Sequence, residues 1–271
     1  MRESEVRVCV LRIEGTNCEA ETQRAFHECG ARAELVHLKQ LEGTVDASLR
    51  RSLEDYHILL IPGGFSAGDY VRAGAIFAAR LRRLSKDIDA FIGDGRLIGG
   101  ICNGFQVLVE LGLIPGFENR VLGEPNAVLN INDSSRFECR HINLKSEAPA
   151  RCAFTQGYDE GSIYQLPVAH AEGKFIAASQ SIIDRMEEER QIVFRYCTAE
   201  GEVDAPYPDN PNGSTASIAG ACNESGTVVG LMPHPERAFY SYKGAGLGCG
   251  LQKADGRPFF ESAIRYVCKK F

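Results

Sequence analysis

A chain of 271 residues with 44% hydrophobic and 24% charged residues has the apolar content of a folded globular protein and none of the depletion typical of disordered chains. Its formal net charge of -6 and pI near 5.6 argue against a face of clustered Lys and Arg, so no nucleic-acid partner is expected. No apolar run is long enough to span a bilayer, and Met1-Arg2-Glu3-Ser4-Glu5 is acidic where an export signal would carry its apolar core, so the expectation is a soluble, cytoplasmic protein without a membrane partner.

Four apolar, β-branched runs dominate the first half: Val6 to Ile13, Ala33 to Leu38, Ile58 to Ile61 and Leu97 to Ile101. Enough chain separates them for crossover helices, the pattern of a parallel sheet covered on both faces. The first helix is predicted to start at Thr16 or Asn17, whose side chains can cap orphan amides, and to stop at Gly30. A second is predicted over Ala73 to Ala90, where Phe77, Leu81, Leu84 and Ile88 recur at helical spacing, and a third begins at Asn103. Beyond Gly116 the runs shorten and are punctuated by Gly, Pro and Asn: Phe137 to Leu144, Ile192 to Tyr196, Ser217 to Ala221 and Thr227 to Met232. These predict an antiparallel extension, with Asn223-Glu224-Ser225-Gly226 as a hairpin turn, followed by a last helix from Pro258 to Val267. No repeat or low-complexity linker divides the chain. Residues 1–271 are therefore expected to form one α/β domain, a mostly parallel central sheet with helices on both faces plus the antiparallel extension.

Gly100-Ile101-Cys102-Asn103-Gly104 sets a cysteine between a buried strand and a helix, with glycines where a sharp turn needs room. Such a turn projects the sulfur outward over the unpaired amides and positive dipole end of the helix, which suits a nucleophile. The alternative is a buried cysteine in a Gly-rich strand end. Two of the six histidines sit in H-x-E pairs, His170-Ala171-Glu172 and His234-Pro235-Glu236. Pro233 and Pro235 hold the second pair extended, so imidazole and carboxylate are expected on one side. This assigns His234 as base and Glu236 as its orienting acid, leaving His170 as a reserve or a pocket-lining residue. After Ile61, Pro62-Gly63-Gly64-Phe65-Ser66-Ala67-Gly68-Asp69 lacks the Cβ atoms that would keep a ligand from backbone amides. Gly64 and Phe65, with the Asn103 amide, are the predicted oxyanion hole; a plain tight turn or a phosphate loop are the alternatives. The ten cysteines contain no C-x-x-C pair, and Cys139-Arg140-His141 supplies too few ligands for a structural metal, so no metal is expected.

Elbow, P-G-G loop and H-P-E together resemble the class I glutamine amidotransferases. Phe65 to Asp69, Gly100 to Gln106, Asn132 to Glu138, Asp209 to Ser214 and Pro233 to Ala238 further resemble the glutaminase components of phosphoribosylformylglycinamidine synthases, over nearly the whole chain. The resemblance implies that Cys102 attacks the side-chain amide of L-glutamine, releasing ammonia and leaving a thioester that water hydrolyses with His234 as base. It implies that Gln106, Asn132, Ser134, Ser135 and Phe137 help to hold the glutamine. It also implies a synthetase partner subunit, with a small third subunit, in de novo purine biosynthesis. ATP and Mg would act in that partner, and this chain would carry no cofactor. Two departures stand out: Ala171 where such sequences carry Gly, and His141 where an aromatic Trp is common. The segments 146–162 and 239–256 are expanded. A stand-alone cysteine hydrolase of γ-glutamyl or peptide substrates, or a scaffold that merely keeps the fold, are the competing readings.

Overall fold

The computed structural model describes residues 1–117, 124–240 and 254–271. The expanded 239–256 segment lies largely outside them.

The four N-terminal apolar runs become β1 (Arg7–Arg12), β2 (Arg32–His37), β3 (Ile58–Ile61) and β4 (Leu97–Ile101), all mutually parallel in the order β2-β1-β3-β4. Every residue of β3 and β4 is buried, as strands covered on both faces require. Between β1 and β2 runs α1 (Glu19–Glu28). It starts later than its capping residues suggested: Cys18 occupies the cap without a side-chain capping bond, while Thr16 Oγ1 accepts from the Ile13 amide instead. A single turn, α2 (Leu38–Leu41), follows β2.

The helix predicted over Ala73 to Ala90 is broken into α3 (Ala75–Leu81), a tight turn at Arg82–Leu84 and α4 (Ser85–Gly93). The apolar stripe is kept across the tight turn, with Phe77, Leu81, Leu84 and Ile88 buried, although Leu84 leaves the helical angles at φ -98° and ψ 18°. Helix α5 (Asn103–Glu110) leaves β4 at the expected residue.

The second half adds β5 (Ala127–Asn130), β6 (Glu138–Ser146), β7 (Ile163–His170), β8 (Lys174–Ala177), α6 (Gln180–Glu188), β9 (Ile192–Cys197), β10 (Ile218–Cys222), β11 (Val228–Leu231) and α7 (Arg257–Lys270). The nine-stranded sheet runs β2-β1-β3-β4-β11-β10-β9-β6-β7. One expectation needs correction: β11 is not part of the antiparallel extension but pairs parallel with β4, Leu231 opposite Ile101. The turn after β10 reverses the chain, with Gly226 N donating to Asn223 O at 3.0 Å and Asn223 Oδ1 accepting from Thr227 and Val228. This hairpin feeds β11 into the centre of the sheet, and β10, β9, β6 and β7 then continue antiparallel.

The pleat at β4 shows what covers each face. A Cβ on Gly100 would strike Gly104 and Leu108 of α5, whereas one on Gly99 would strike Phe154, which packs on Phe259 of α7 at 4.9 Å. So α5 and its neighbour α3 cover one face and α7 covers the other, with α1 joined to α7 by the edge-on Phe26–Phe260 pair. The antiparallel pair β5-β8 lies outside the main sheet, its Phe175 stacked on Phe105 of α5. No helix among the described residues is long and apolar enough to cross a membrane.

Candidate active site

The chain reverses between β4 and α5 at Cys102, whose φ of 51° and ψ of -106° lie where an L-residue is strained. Neighbouring structure holds it there: its amide donates to Leu231 O at 2.7 Å and its carbonyl accepts from Gln106 N at 3.1 Å. The flanking glycine is a close-approach residue, since a Cβ on Gly104 would sit 1.9 Å from Ile61 O. Cys102 keeps 5% exposure, and its Sγ faces Ala169 O at 3.7 Å.

The loop after β3 comes back over the elbow. Gly63 O accepts from the amides of Asn17 and Cys18, so the loop is stitched to the start of α1. Gly64 (φ 152°) admits no side chain, as a Cβ would meet Asn17 N at 2.7 Å. The Phe65 amide donates to Gly15 O at 2.8 Å, which removes it from the predicted oxyanion hole. The amides of Gly64 and of Asn103 make no hydrogen bond among the described residues and are the donors left for an oxyanion. Phe65 instead lines an exposed rim, its ring 6.4 Å from that of Phe137.

His234 and Glu236 meet as expected, but by another local geometry. Pro235–Ala238 form a tight helical turn with His234 at its cap, rather than an extended segment, and the turn brings Glu236 Oε1 to 2.5 Å from His234 Nδ1. Both side chains are buried. Burial alone would disfavour the imidazolium, but Glu236, Cys102 and Cys18 more than offset it, holding the His234 pKa well above its ordinary value. His234 Nε2 makes no hydrogen bond among the described residues, so the nitrogen that must receive the thiol proton is not engaged elsewhere.

Gly63 is what lets these groups approach. A Cβ there would lie 2.8 Å from His234 Cε1, 3.2 Å from Cys18 Sγ and 3.4 Å from Cys102 Cβ. Sequence reasoning passed over Cys18 and, directly after H-P-E, Arg237, which donates to Cys18 Sγ at 3.1 Å. The available signal was a cysteine at a helix start, a recognised setting for functional thiols.

His170 is pinned rather than poised: its Nδ1 is 3.2 Å from Asn132 Oδ1, and burial, with the charge of His234, pushes its pKa down to about 3. It stays neutral and is a poor base near neutral pH, which leaves that task to His234. The predicted glutamine-holding residues divide. Asn132 is consumed internally, donating to Arg136 O and His170 O and accepting from Gly173 N. Gln106 bonds Asn103 Nδ2 and Glu172 O through its two ends, so it braces the wall of the site. Ser134 Oγ bonds Glu138, while Ser135 and Phe137 are exposed beside the rim.

Among the described residues the cluster with a metal-like donor set is Cys18, His234 and Glu236, but their atoms already serve one another and Arg237. Cys139 and His141 stand exposed on β6, outside it.

A sequence profile described as a CobB/CobQ-like glutamine amidotransferase domain matches residues 5–267. The phosphoribosylformylglycinamidine synthase subunit PurQ of Archaeoglobus fulgidus is 50% identical, covering 99% of this chain and 100% of that one. The Picrophilus torridus PurQ subunit is 45% identical over 94% and 96% of the two chains. Among solved structures, PurLQS from Thermotoga maritima superposes with a TM-score of 0.72 at 31% identity, over 97% of this chain and 99% of that one. With the elbow, the buried His-Glu pair and full-length correspondence in hand, the chain belongs to the class I glutamine amidotransferases, in the family of the PurQ subunits.

Proposed function

We propose that this chain is the glutaminase subunit of a phosphoribosylformylglycinamidine synthase. It hydrolyses L-glutamine to glutamate and ammonia and passes the ammonia to a synthetase subunit that makes formylglycinamidine ribonucleotide, a small third subunit completing the complex. The carrying observation is the strained Cys102 elbow facing a buried His234–Glu236 pair across Gly63. Full-length identity to the PurQ subunits selects the ammonia acceptor.

In this reading the Cys102 proton resides on His234 Nε2, as the raised pKa of the ring favours, and Sγ attacks the γ-carboxamide carbon of glutamine. The carbonyl oxygen becomes an oxyanion between the Gly64 and Asn103 amides, donors worth about 3–4 kcal/mol each to such a transition state. Collapse breaks the C–N bond, the imidazolium protonates the leaving nitrogen, and ammonia departs. Water then adds to the thioester, giving a proton to His234, and glutamate leaves as the C–S bond breaks, with that proton kept on the ring. Glu236 holds Nδ1–H throughout, so that the proton exchanged is always the one on Nε2. ATP and Mg belong to the synthetase, and this chain carries no cofactor of its own. Residues 1–271 work as one domain, in the cytoplasm, in keeping with the free thiols of the cysteines among the described residues.

Glutamate and ammonia release are to be measured for the chain alone and with its synthetase. Cys102→Ala should abolish both releases without unfolding the chain, and the synthetase should stimulate the parent. Activity retained in Cys102→Ala would overturn the mechanism, and full activity indifferent to the synthetase would favour a stand-alone hydrolase.

A further inference from the structure

One contact on the catalytic base is used by neither the nucleophile nor the orienting acid. Cys18, 1% exposed, places Sγ 4.0 Å from His234 Nδ1, the nitrogen that Glu236 holds at 2.5 Å. Arg237 donates to that sulfur at 3.1 Å, so Sγ acts as an acceptor with a guanidinium fixed behind it. The backbone of Cys18 is tied on both sides, its amide to Gly63 O and its carbonyl to Thr22 N, each at 3.1 Å. With the backbone fixed in this way, only rotation about the Cα–Cβ bond can take the sulfur from the ring, and the Arg237 contact opposes it.

We propose that Cys18 is a positioning residue for the glutaminase reaction, flanking the His234 imidazole beside Glu236 and, clamped by Arg237, holding Nε2 turned toward Cys102. This rests on the reading of the chain as a glutaminase. A single hydrogen bond from Nδ1 fixes the direction of that bond but leaves the ring free to rock about it, and a second contact on the same edge removes that freedom. Sulfur suits the place because its radius fills a gap of this width, which a hydroxyl oxygen on a shorter bond spans less well.

The charged and titratable groups facing His234 come from each element around it. They are Cys102 at the elbow, Cys18 at the start of α1, His170 at the end of β7 and Glu236 on the adjoining turn. Arg237 stands behind Cys18 and is itself faced by Glu21 of α1. Cys18 is among the groups that favour the protonated ring, so its removal lowers the pH at which His234 gives up its proton. The basic limb of the kcat/KM profile should follow.

The test is glutaminase kinetics of Cys18→Ala and Cys18→Ser in complex with the synthetase, over a pH range of about 6 to 10. Cys18→Ala should move the basic limb to lower pH and lower kcat roughly tenfold with KM unchanged. Cys18→Ser, which keeps a weaker acceptor in place, should show a smaller shift in the same direction, and its profile decides the matter if Cys18→Ala fails to fold. If the folded variants keep the parent's pH profile, whatever their thermal stability, Cys18 only fills space and the proposal falls. The parent in the same assay judges the functional reading separately: no glutamate from glutamine in the parent complex would overturn that reading rather than the role of Cys18.

Discussion

Gly63→Ala isolates the geometry of the site from its chemistry. The residue has no left-handed backbone angle, so alanine is permitted by the backbone and any cost is steric. The added methyl would lie 2.8 Å from His234 Cε1, inside the shortest distance that carbon atoms tolerate, and 3.2 Å from Cys18 Sγ. Restoring ordinary contact needs a displacement of about 0.6 Å. The ring cannot supply it freely, because Nδ1 is tied to Glu236 at 2.5 Å and both side chains are buried. The overpacking should cost about 1–3 kcal/mol, which lowers Tm by about 2–4 °C for each kcal/mol in a chain of this size. A shift of that size between base and nucleophile should reduce kcat by about 10- to 100-fold, by comparison with the roughly hundredfold loss that a 1 Å misplacement brings. The assay pairs thermal unfolding with glutaminase kinetics of the complex. A variant with parental Tm and kcat within about twofold would show that the three groups do not converge on Gly63 in solution.

Other outcomes follow from the same structure. Cys102→Gly and Cys102→Ala both lack the sulfur, but only glycine relaxes at φ 51°, so the glycine variant should be the more stable by about 1 kcal/mol in denaturant unfolding, with no turnover in either; equal stabilities would refute the strain. Asp69 has its carboxyl pKa raised to about 6, first by burial and then by Glu172. A carboxyl raised in this way costs stability above its folded pKa, and the cost vanishes below the unfolded value. Asp69→Asn, which can still accept from Asn103 and tolerates the φ of 51° there, should therefore stabilise the protein at pH 7.5 by about 1 kcal/mol after allowance for half exposure, and by nothing near pH 4. An equal effect at both pH values would refute the electrostatic cause.

The parts of the molecule legible in the sequence are those set by neighbours along the chain. Runs of β-branched residues placed β1 to β4 within a residue or so, because burial on both faces demands unbroken apolar stretches. The G-I-C-N-G elbow was legible for a similar reason at one of its two glycines: a Cβ on Gly100 would meet Gly104 and Leu108 in the helix that follows, whereas Gly104 is required by the distant Ile61 carbonyl. Strands β7 and β8 and helix α6 were not foreseen: Pro167 interrupts β7, β8 is very short and pairs with β5 from a distant part of the chain, and α6 buries only Ile183 and Met186 among polar residues.

What the amino-acid order determined alone was the set of chemical groups and their local turns: a strained cysteine before a helix and a carboxylate placed two residues beyond an imidazole. Which amides are left for an oxyanion, which predicted ligands are consumed within the protein, and which second cysteine touches the base were decided only by tertiary structure. The physical reason is distance along the chain: Gly63, Cys18, Cys102 and His234 belong to four separate segments, and only the closing of the sheet sets them within a few ångströms of one point.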